Sequence, residues 1–140
     1  MLEPGFWLMF AVRVPALLVA LTVHEWAHAY TAMRKGDLTA YDAGRVSLNP
    51  FVHLDPIGSI GLLLGFFGWG RPVPVDHRLL KNPTRDSMWI SFAGPLSNLT
   101  LAVAFGVIFR IWHLVAPPTE PVVLGEVEYL RVNLWQLSTL

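Results

Sequence analysis

Apolar residues run almost unbroken from Gly5 to about Met33, give way to a polar stretch over residues 34–86, and return from Ser87 to about Val115. Each run exceeds the roughly 20 residues a helix needs to cross a bilayer, so the pattern predicts two transmembrane helices. Arg13 and Pro15 interrupt the first. Two arrangements fit them: a kinked helix with Arg13 facing protein, or an interfacial piece before Pro15 with the true span starting there. Arg34-Lys35-Gly36-Asp37 ends this helix with two basic residues and then Gly, the usual C-terminal signals. In the second run, Ala93-Gly94-Pro95-Leu96-Ser97-Asn98 puts small residues at 93, 94 and 97, which predicts close packing on the first helix. Pro95 implies a kink or a broken start.

The polar middle carries Arg34, Lys35, Arg45, Arg71, Arg78, Lys81 and Arg85, most of the positive charge of the chain. By the positive-inside rule this loop is cytoplasmic. Within it, Ile57 to Trp69 is apolar, too short to span and punctuated by Gly58, Gly61, Gly65 and Gly68. It predicts a re-entrant or hairpin segment, with a core-packed turn as the alternative. The alternate prolines of Arg71-Pro72-Val73-Pro74-Val75 favour an extended, edge-like stretch, either a plain connector or a strand able to accept an unwound peptide. After an external turn at Pro117-Pro118-Thr119-Glu120-Pro121 comes an amphipathic stretch with Glu126 and Glu128. Leu130 to Leu140 then reads as the start of a third helix, too short to cross. The expected fold class is therefore an all-α integral membrane protein. Residues 1–140 are expected to form a single membrane-embedded domain, C-terminally incomplete.

Composition sharpens this picture. Hydrophobic residues make up 54% of the 140 residues and charged residues 14%, a balance that belongs to integral membrane proteins. Ten basic and ten acidic residues cancel, which argues against a nucleic-acid partner. There is no cysteine, so any metal must be held by His, Asp or Glu. The N-terminus lacks a basic region and a small-residue cleavage pattern, so the first apolar segment is expected to stay in the mature chain.

The candidate chemistry lies near the end of the first span, in His24-Glu25-Trp26-Ala27-His28, an H-E-x-x-H motif. At about 3.6 residues per turn, His24 and His28 share one helix face and can reach one metal ion, with Glu25 beside them. Such a pair suits Zn²⁺, which acidifies a bound water while the carboxylate takes its proton. The motif has only three fixed positions, and a hydrogen-bonded core histidine is the common alternative. The setting favours function, because ionisable groups among Leu17, Leu18, Val19, Leu21, Val23 and Trp26 are costly in lipid. Asn98 can orient a ligand or substrate carbonyl, or simply bond between helices. Arg110 and His113 lie near the far end of the second span, where they can snorkel to the opposite surface, which makes His113 a poor metal partner.

Several segments together resemble the site-2 protease family of intramembrane zinc metalloproteases, in particular its compact prokaryotic members. They are HEWAHAYTA followed by GDLTA, then GRVSLNPFVHLDPIGSI, FGWGRPVPVD and NPTRDSMWISFAGPLSN, between about Val14 and Ala104. The resemblance implies peptide-bond hydrolysis in or beside a membrane-embedded protein substrate, with His24 and His28 as zinc ligands and Glu25 as general base. It also implies a multi-pass protein of a prokaryotic cell membrane. Members of that family take a third ligand from an Asp-Gly motif on a later helix, and this chain has no Asp-Gly dipeptide. Asp55, Asp86 and His53 are the nearest substitutes. Asp55 also reads as a turn residue before Pro56, and Asp86 as a helix N-terminal charge.

Two functions follow as expectations. The first is a zinc metalloendopeptidase of site-2 type, carried by a chain that stops before its third ligand. The second is a non-catalytic relative that binds membrane partners. A haem or proton-relay protein using the two histidines is a weaker third, since axial haem ligands usually come from different helices.

Overall fold

The computed structural model describes residues 4–63 and 69–116. Four helices follow one another among them: α1 (Pro4–Lys35), α2 (Thr39–Asp42), α3 (Pro56–Leu63) and α4 (Pro83–Val115). Short 3₁₀ turns form at Pro50–Val52 and His77–Leu79. The described residues contain no strand, and an isolated antiparallel bridge joins Leu54 to Gly70. The predicted turn at Pro117–Pro121, the stretch with Glu126 and Glu128, and the third helix over Leu130–Leu140 lie outside the described residues.

Helix α1 passes through Arg13 and Pro15 as one element, with Arg13 exposed on its surface. Its end is a Schellman turn. Gly36 takes a positive φ of 104°, and the amides of Gly36 and Asp37 return to the carbonyls of Met33 and Ala32 at 3.2 and 3.0 Å. Asp37 then serves as a buried tie. One carboxylate oxygen accepts from the Thr39 amide at 2.9 Å, the other from the Asp76 amide at 2.7 Å. Burial pushes the Asp37 carboxyl up, but the bonds from Thr39 and Asp76 prevail and hold it below the usual carboxylate range.

Helix α4 begins at Pro83 after Asn82 and continues through Pro95 without a break. Three contacts fix its direction against α1. Lys35 Nζ lies 3.1 Å from Asp86 Oδ1, His28 Nδ1 donates to the Ile90 carbonyl at 2.6 Å, and Asn98 Nδ2 donates to His24 Nδ1 at 3.2 Å. The pair is therefore antiparallel. Asp86, Ile90, Gly94 and Asn98 recur every four residues on α4, as His24, His28 and Ala32 do on α1. The helices thus meet along two i, i+4 rows. Ala32, Ile90 and Leu80 form a small buried cluster, with Val75 packed against it.

Little of the apolar surface is covered by protein. Ile108, Phe109, Trp112 and Val115 are 60%, 64%, 66% and 80% exposed. A long helix that is apolar and uncovered needs an apolar solvent. Phe10–Lys35 and Pro83–Val115 are both long and apolar enough to cross a membrane.

Between them, the loop folds back on α1. The part of Ile57 to Trp69 that is described before residue 64 is helical, as α3, and its N-terminus is capped by Asp55, whose Oδ1 accepts from the amides of Ile57 and Gly58 at 3.0 and 2.9 Å. Residues 64–68, with two of the glycines, lie outside the described residues. The stretch Arg71–Val75 is irregular rather than a strand. The Arg71 amide donates to the His53 carbonyl at 2.8 Å. Arg45 secures both segments: it is buried, and its guanidinium donates to the carbonyls of Val52 at 2.5 Å, Pro72 at 3.2 Å and Arg71.

Candidate metal centre

His24 and His28 are brought together by the helix that carries them. Their Nε2 atoms are 3.0 Å apart and their rings meet edge to face, with centroids 4.6 Å apart. Their Nδ1 atoms are engaged by α4, one by the Ile90 carbonyl and the other by the Asn98 amide. A carbonyl only accepts, so His28 carries its proton on Nδ1 and turns the lone pair of Nε2 toward His24. Asn98 Nδ2 lies 3.2 Å from His24 Nδ1 on the other side of the pair.

Close approach of α4 depends on Gly94. A Cβ there would lie 2.6 Å from both Cε1 and Nε2 of His24, and it would also collide with His28 Nε2. Any larger residue would occupy the space between the imidazoles and α4. Gly94 is buried, and Ser97 one turn on donates to its carbonyl at 2.7 Å.

Glu25 looks toward the loop. A Cβ on Gly70 would lie 3.4 Å from Glu25 Oε1 and 3.4 Å from the His53 carbonyl, so the Leu54–Gly70 bridge passes beside the carboxylate. Arg45, behind that bridge, also feels it. Burial lowers the Arg45 guanidinium from its usual value, Arg71 lowers it further, and Glu25 acts in the opposite direction. The site is thus framed by α4 on the histidine side and by the folded loop on the glutamate side.

The substitutes named for a third ligand lie elsewhere. Asp55 caps α3. Asp86 Oδ2 accepts from the Asn82 amide at 2.9 Å while Oδ1 pairs with Lys35. His53 is fully buried and its Nε2 donates to the Ser47 carbonyl at 2.7 Å. His113 stacks obliquely on Phe109, with centroids 4.9 Å apart, toward the other end of α4. Among the described residues, no third His, Asp or Glu gathers with His24 and His28 into a metal-holding group.

A Bacillus subtilis (strain 168) protein named "Putative zinc metalloprotease YwhC" is 52% identical over 89 residues, covering 64% of this chain and 41% of that protein. The Mycolicibacterium smegmatis (strain ATCC 700084 / mc(2)155) protein named "Putative zinc metalloprotease Rip2" is 34% identical over 99 residues, covering 68% and 38%. Its Mycobacterium tuberculosis (strain ATCC 35801 / TMC 107 / Erdman) namesake is 30% identical over 127 residues, covering 87% and 48%. Its relatives are thus bacterial proteins that carry the name "Putative zinc metalloprotease". The chain spans less than half the length of each of these relatives. No protein-family profile matches the chain, and no solved structure matches it.

The residues present fit the zinc that those names imply. Neutral imidazoles are suitable donors, both Nε2 atoms face one place, and Gly94 leaves that place free of a side chain. His28 Nδ1 donates to the Ile90 carbonyl, the arrangement that orients histidine ligands in metal sites, and the Asn98 side chain meets Nδ1 of His24. The H-E-x-x-H spacing singles out Glu25 and both histidines as candidates, but nothing in it points to the Ile90 carbonyl or to Arg45. A backbone carbonyl has no residue signature. The four-residue recurrence of Asp86, Ile90, Gly94 and Asn98 was the available signal for the α4 partners.

Proposed function

We propose that this chain forms the histidine-bearing part of an intramembrane zinc metalloprotease of site-2 type, which hydrolyses a peptide bond in or near a membrane-embedded protein substrate. The observation that carries the reading is the convergence of His24 and His28 Nε2 at 3.0 Å, with both Nδ1 atoms held by the neighbouring helix. The names of the relatives support it, as do two helices suited to a bilayer. The protein is read as multi-pass in a prokaryotic cell membrane, with the basic middle loop on the cytoplasmic side.

In this reading His24 and His28 hold Zn²⁺ through Nε2, and further protein donors come from outside the described residues. Bound zinc supplies an acidified water and polarises the scissile carbonyl. Glu25 is the general base: its carboxylate takes a proton from the attacking water and returns it to the departing amine. Gly94 and Ile90 keep the imidazoles pressed against α4. The Leu54–Gly70 bridge, held by Arg45, lines the Glu25 side, where an unwound substrate segment would approach. Local unwinding is required, because a helical peptide bond is shielded by its own hydrogen bonds.

The test is the full-length protein in membranes with a transmembrane substrate reporter, compared with Glu25→Gln and with His28→Ala. Loss of cleavage in Glu25→Gln with zinc retained, and loss of both in His28→Ala, is the expected result. Full cleavage by Glu25→Gln, or cleavage indifferent to a zinc chelator, would remove the proposal and leave the non-catalytic, partner-binding role.

A further inference from the structure

Beside the Leu54–Gly70 bridge lies a cavity of about 510 Å³ whose walls include Arg45, Phe51, Val52, Arg71, Pro72 and Pro74. Its charged groups are both positive. Arg45 is 4% exposed; its terminal nitrogens donate to the carbonyls of Val52, Arg71 and Pro72, and its Nε is buried without a hydrogen-bond partner. Carbonyls satisfy its donors but leave its charge uncancelled. Arg71 is exposed, and its guanidinium has no hydrogen bond or ion pair among the described residues; the ion pairs there join Lys35 to Asp86 and Arg78 to Asp76. The two guanidinia repel one another, and Glu25, which acts on Arg45 in the opposite direction, is the base in the reading above. Two cations held side by side make a place for an anion.

The position of the cavity favours a peptide over a lipid headgroup. Gly70, which Arg71 follows, sits against Leu21 and Glu25 of α1. Glu25 lies about 15 Å along the helix from its Lys35 end. Basic residues at a helix end mark the level of the headgroups, so the cavity opens deeper than a lipid phosphate sits, where a peptide bond would meet Glu25. The walls also favour a side chain over a backbone. Pro72 and Pro74 have no N–H, so past Gly70 this edge offers an incoming peptide few backbone donors. Phe51, 79% exposed, and the two proline rings suit a methylene stem, and a guanidinium presents a planar fork of donors that matches a carboxylate.

We propose that this cavity is a subsite for an acidic side chain of the substrate, Asp or Glu, with Arg71 as the group that contacts the carboxylate and Arg45 as the fixed charge behind it. The proposal rests on the protease reading above. Arg71 to Pro74 follow Gly70 directly, and at about 3.3 Å per extended residue they reach about four residues from the bridge, so the acidic residue lies within about four residues of the scissile bond. Arg45 is tied to three carbonyls and stays in place, whereas the exposed Arg71 can swing to meet the side chain that enters.

The experiment uses full-length protein in phosphatidylcholine vesicles, with and without phosphatidylglycerol, and a transmembrane substrate reporter that is uncharged around its scissile bond. Glu, Gln or Lys is placed singly at each position of that span on either side of the bond, and cleavage rates are compared for the parent, Arg71→Lys, Arg71→Gln and Arg71→Glu, with Glu25→Gln as the blank. At the position that meets the cavity, the parent should cleave the Glu reporter about 10-fold faster than the Lys reporter, a ratio equivalent to about 1.4 kcal/mol, with Gln between them. Arg71→Lys should keep most of this preference, Arg71→Gln should narrow it, and Arg71→Glu should abolish it. An Arg71 that served the fold alone would instead slow every reporter by the same factor, and that result overturns the proposal. A parent that cleaves all the reporters equally, while Glu25→Gln cleaves none, overturns it and leaves the protease reading intact. Rates that follow Arg71 and phosphatidylglycerol but not the charge of the reporter overturn it in favour of a lipid phosphate. A parent that cleaves none of the reporters overturns the protease reading on which it stands.

Discussion

Gly94→Ala is the most direct probe of how the site is built. The added Cβ would lie 2.6 Å from His24 Cε1 and Nε2, whereas ordinary contact begins at 3.4 Å. The difference between these distances, about 0.8 Å, must come from separation of α1 and α4 or from a swing of both imidazoles. Neither is free. Separation loosens the bond from His28 to the Ile90 carbonyl and the bond from Asn98 to His24, while a swing parts the two Nε2 atoms. Overpacking of this kind costs about 1–3 kcal/mol. If that cost falls wholly on the metal-loaded arrangement, it weakens zinc binding roughly 5- to 160-fold. The assay is chelator competition on purified protein, beside a thermal melt in the same detergent. Gly106→Ala on the same helix is the control: an added Cβ meets nothing within 4 Å among the described residues, and replacing a helical Gly by Ala stabilises by up to about 1 kcal/mol. Zinc affinity and thermal midpoint in Gly94→Ala that match the parent would refute the claim that α4 is held against the imidazoles by the missing side chain.

Further outcomes follow from the loop. Arg45→Lys cannot reach the carbonyls of Val52, Arg71 and Pro72 together, so it should lose about 3 kcal/mol of stability in a denaturation series, and a neutral result would show that the clamp is dispensable. Asp37→Ala removes the acceptor of two backbone amides and should cost about 2–3 kcal/mol by the same measurement. The folded Asp37 carboxyl is held below its ordinary value, so its contribution is full above the ordinary carboxylate range and is lost as pH falls through the folded value. Melts from pH 6 downward should therefore show the parent losing stability below roughly pH 4, and Asp37→Asn losing less over the same range; equal slopes would count against the role of Asp37 as a tie. Lys35→Met should change stability by less than about 1 kcal/mol, because Lys35 is a third exposed where it meets Asp86.

The sequence by itself determined the two long helices and the grouping of His24, Glu25 and His28 on the first of them. Gly36 after two basic residues marks the end of α1, and Pro83 begins α4 slightly earlier than the apolar run suggested. The i, i+4 spacing places His24 and His28 together whatever the rest of the chain does, because that geometry belongs to a single helix. Small residues near 94 indicated a close neighbour. The tertiary structure decided everything that depends on register between distant segments. It put the Ile90 carbonyl and Asn98 on the two Nδ1 atoms, since an antiparallel pair slid by one turn would bring other groups there. Arg45 was read only as positive charge until three carbonyls from two segments proved to surround it, and Asp37 only as a residue after the helix. Asp55, Asp86 and His53 have the chemistry of ligands, but each was claimed by a local or interhelical partner before it could serve as one. Local spacing fixes which groups share a helix face; which of them meet across space is set by packing of faces, and that is not written in any one segment.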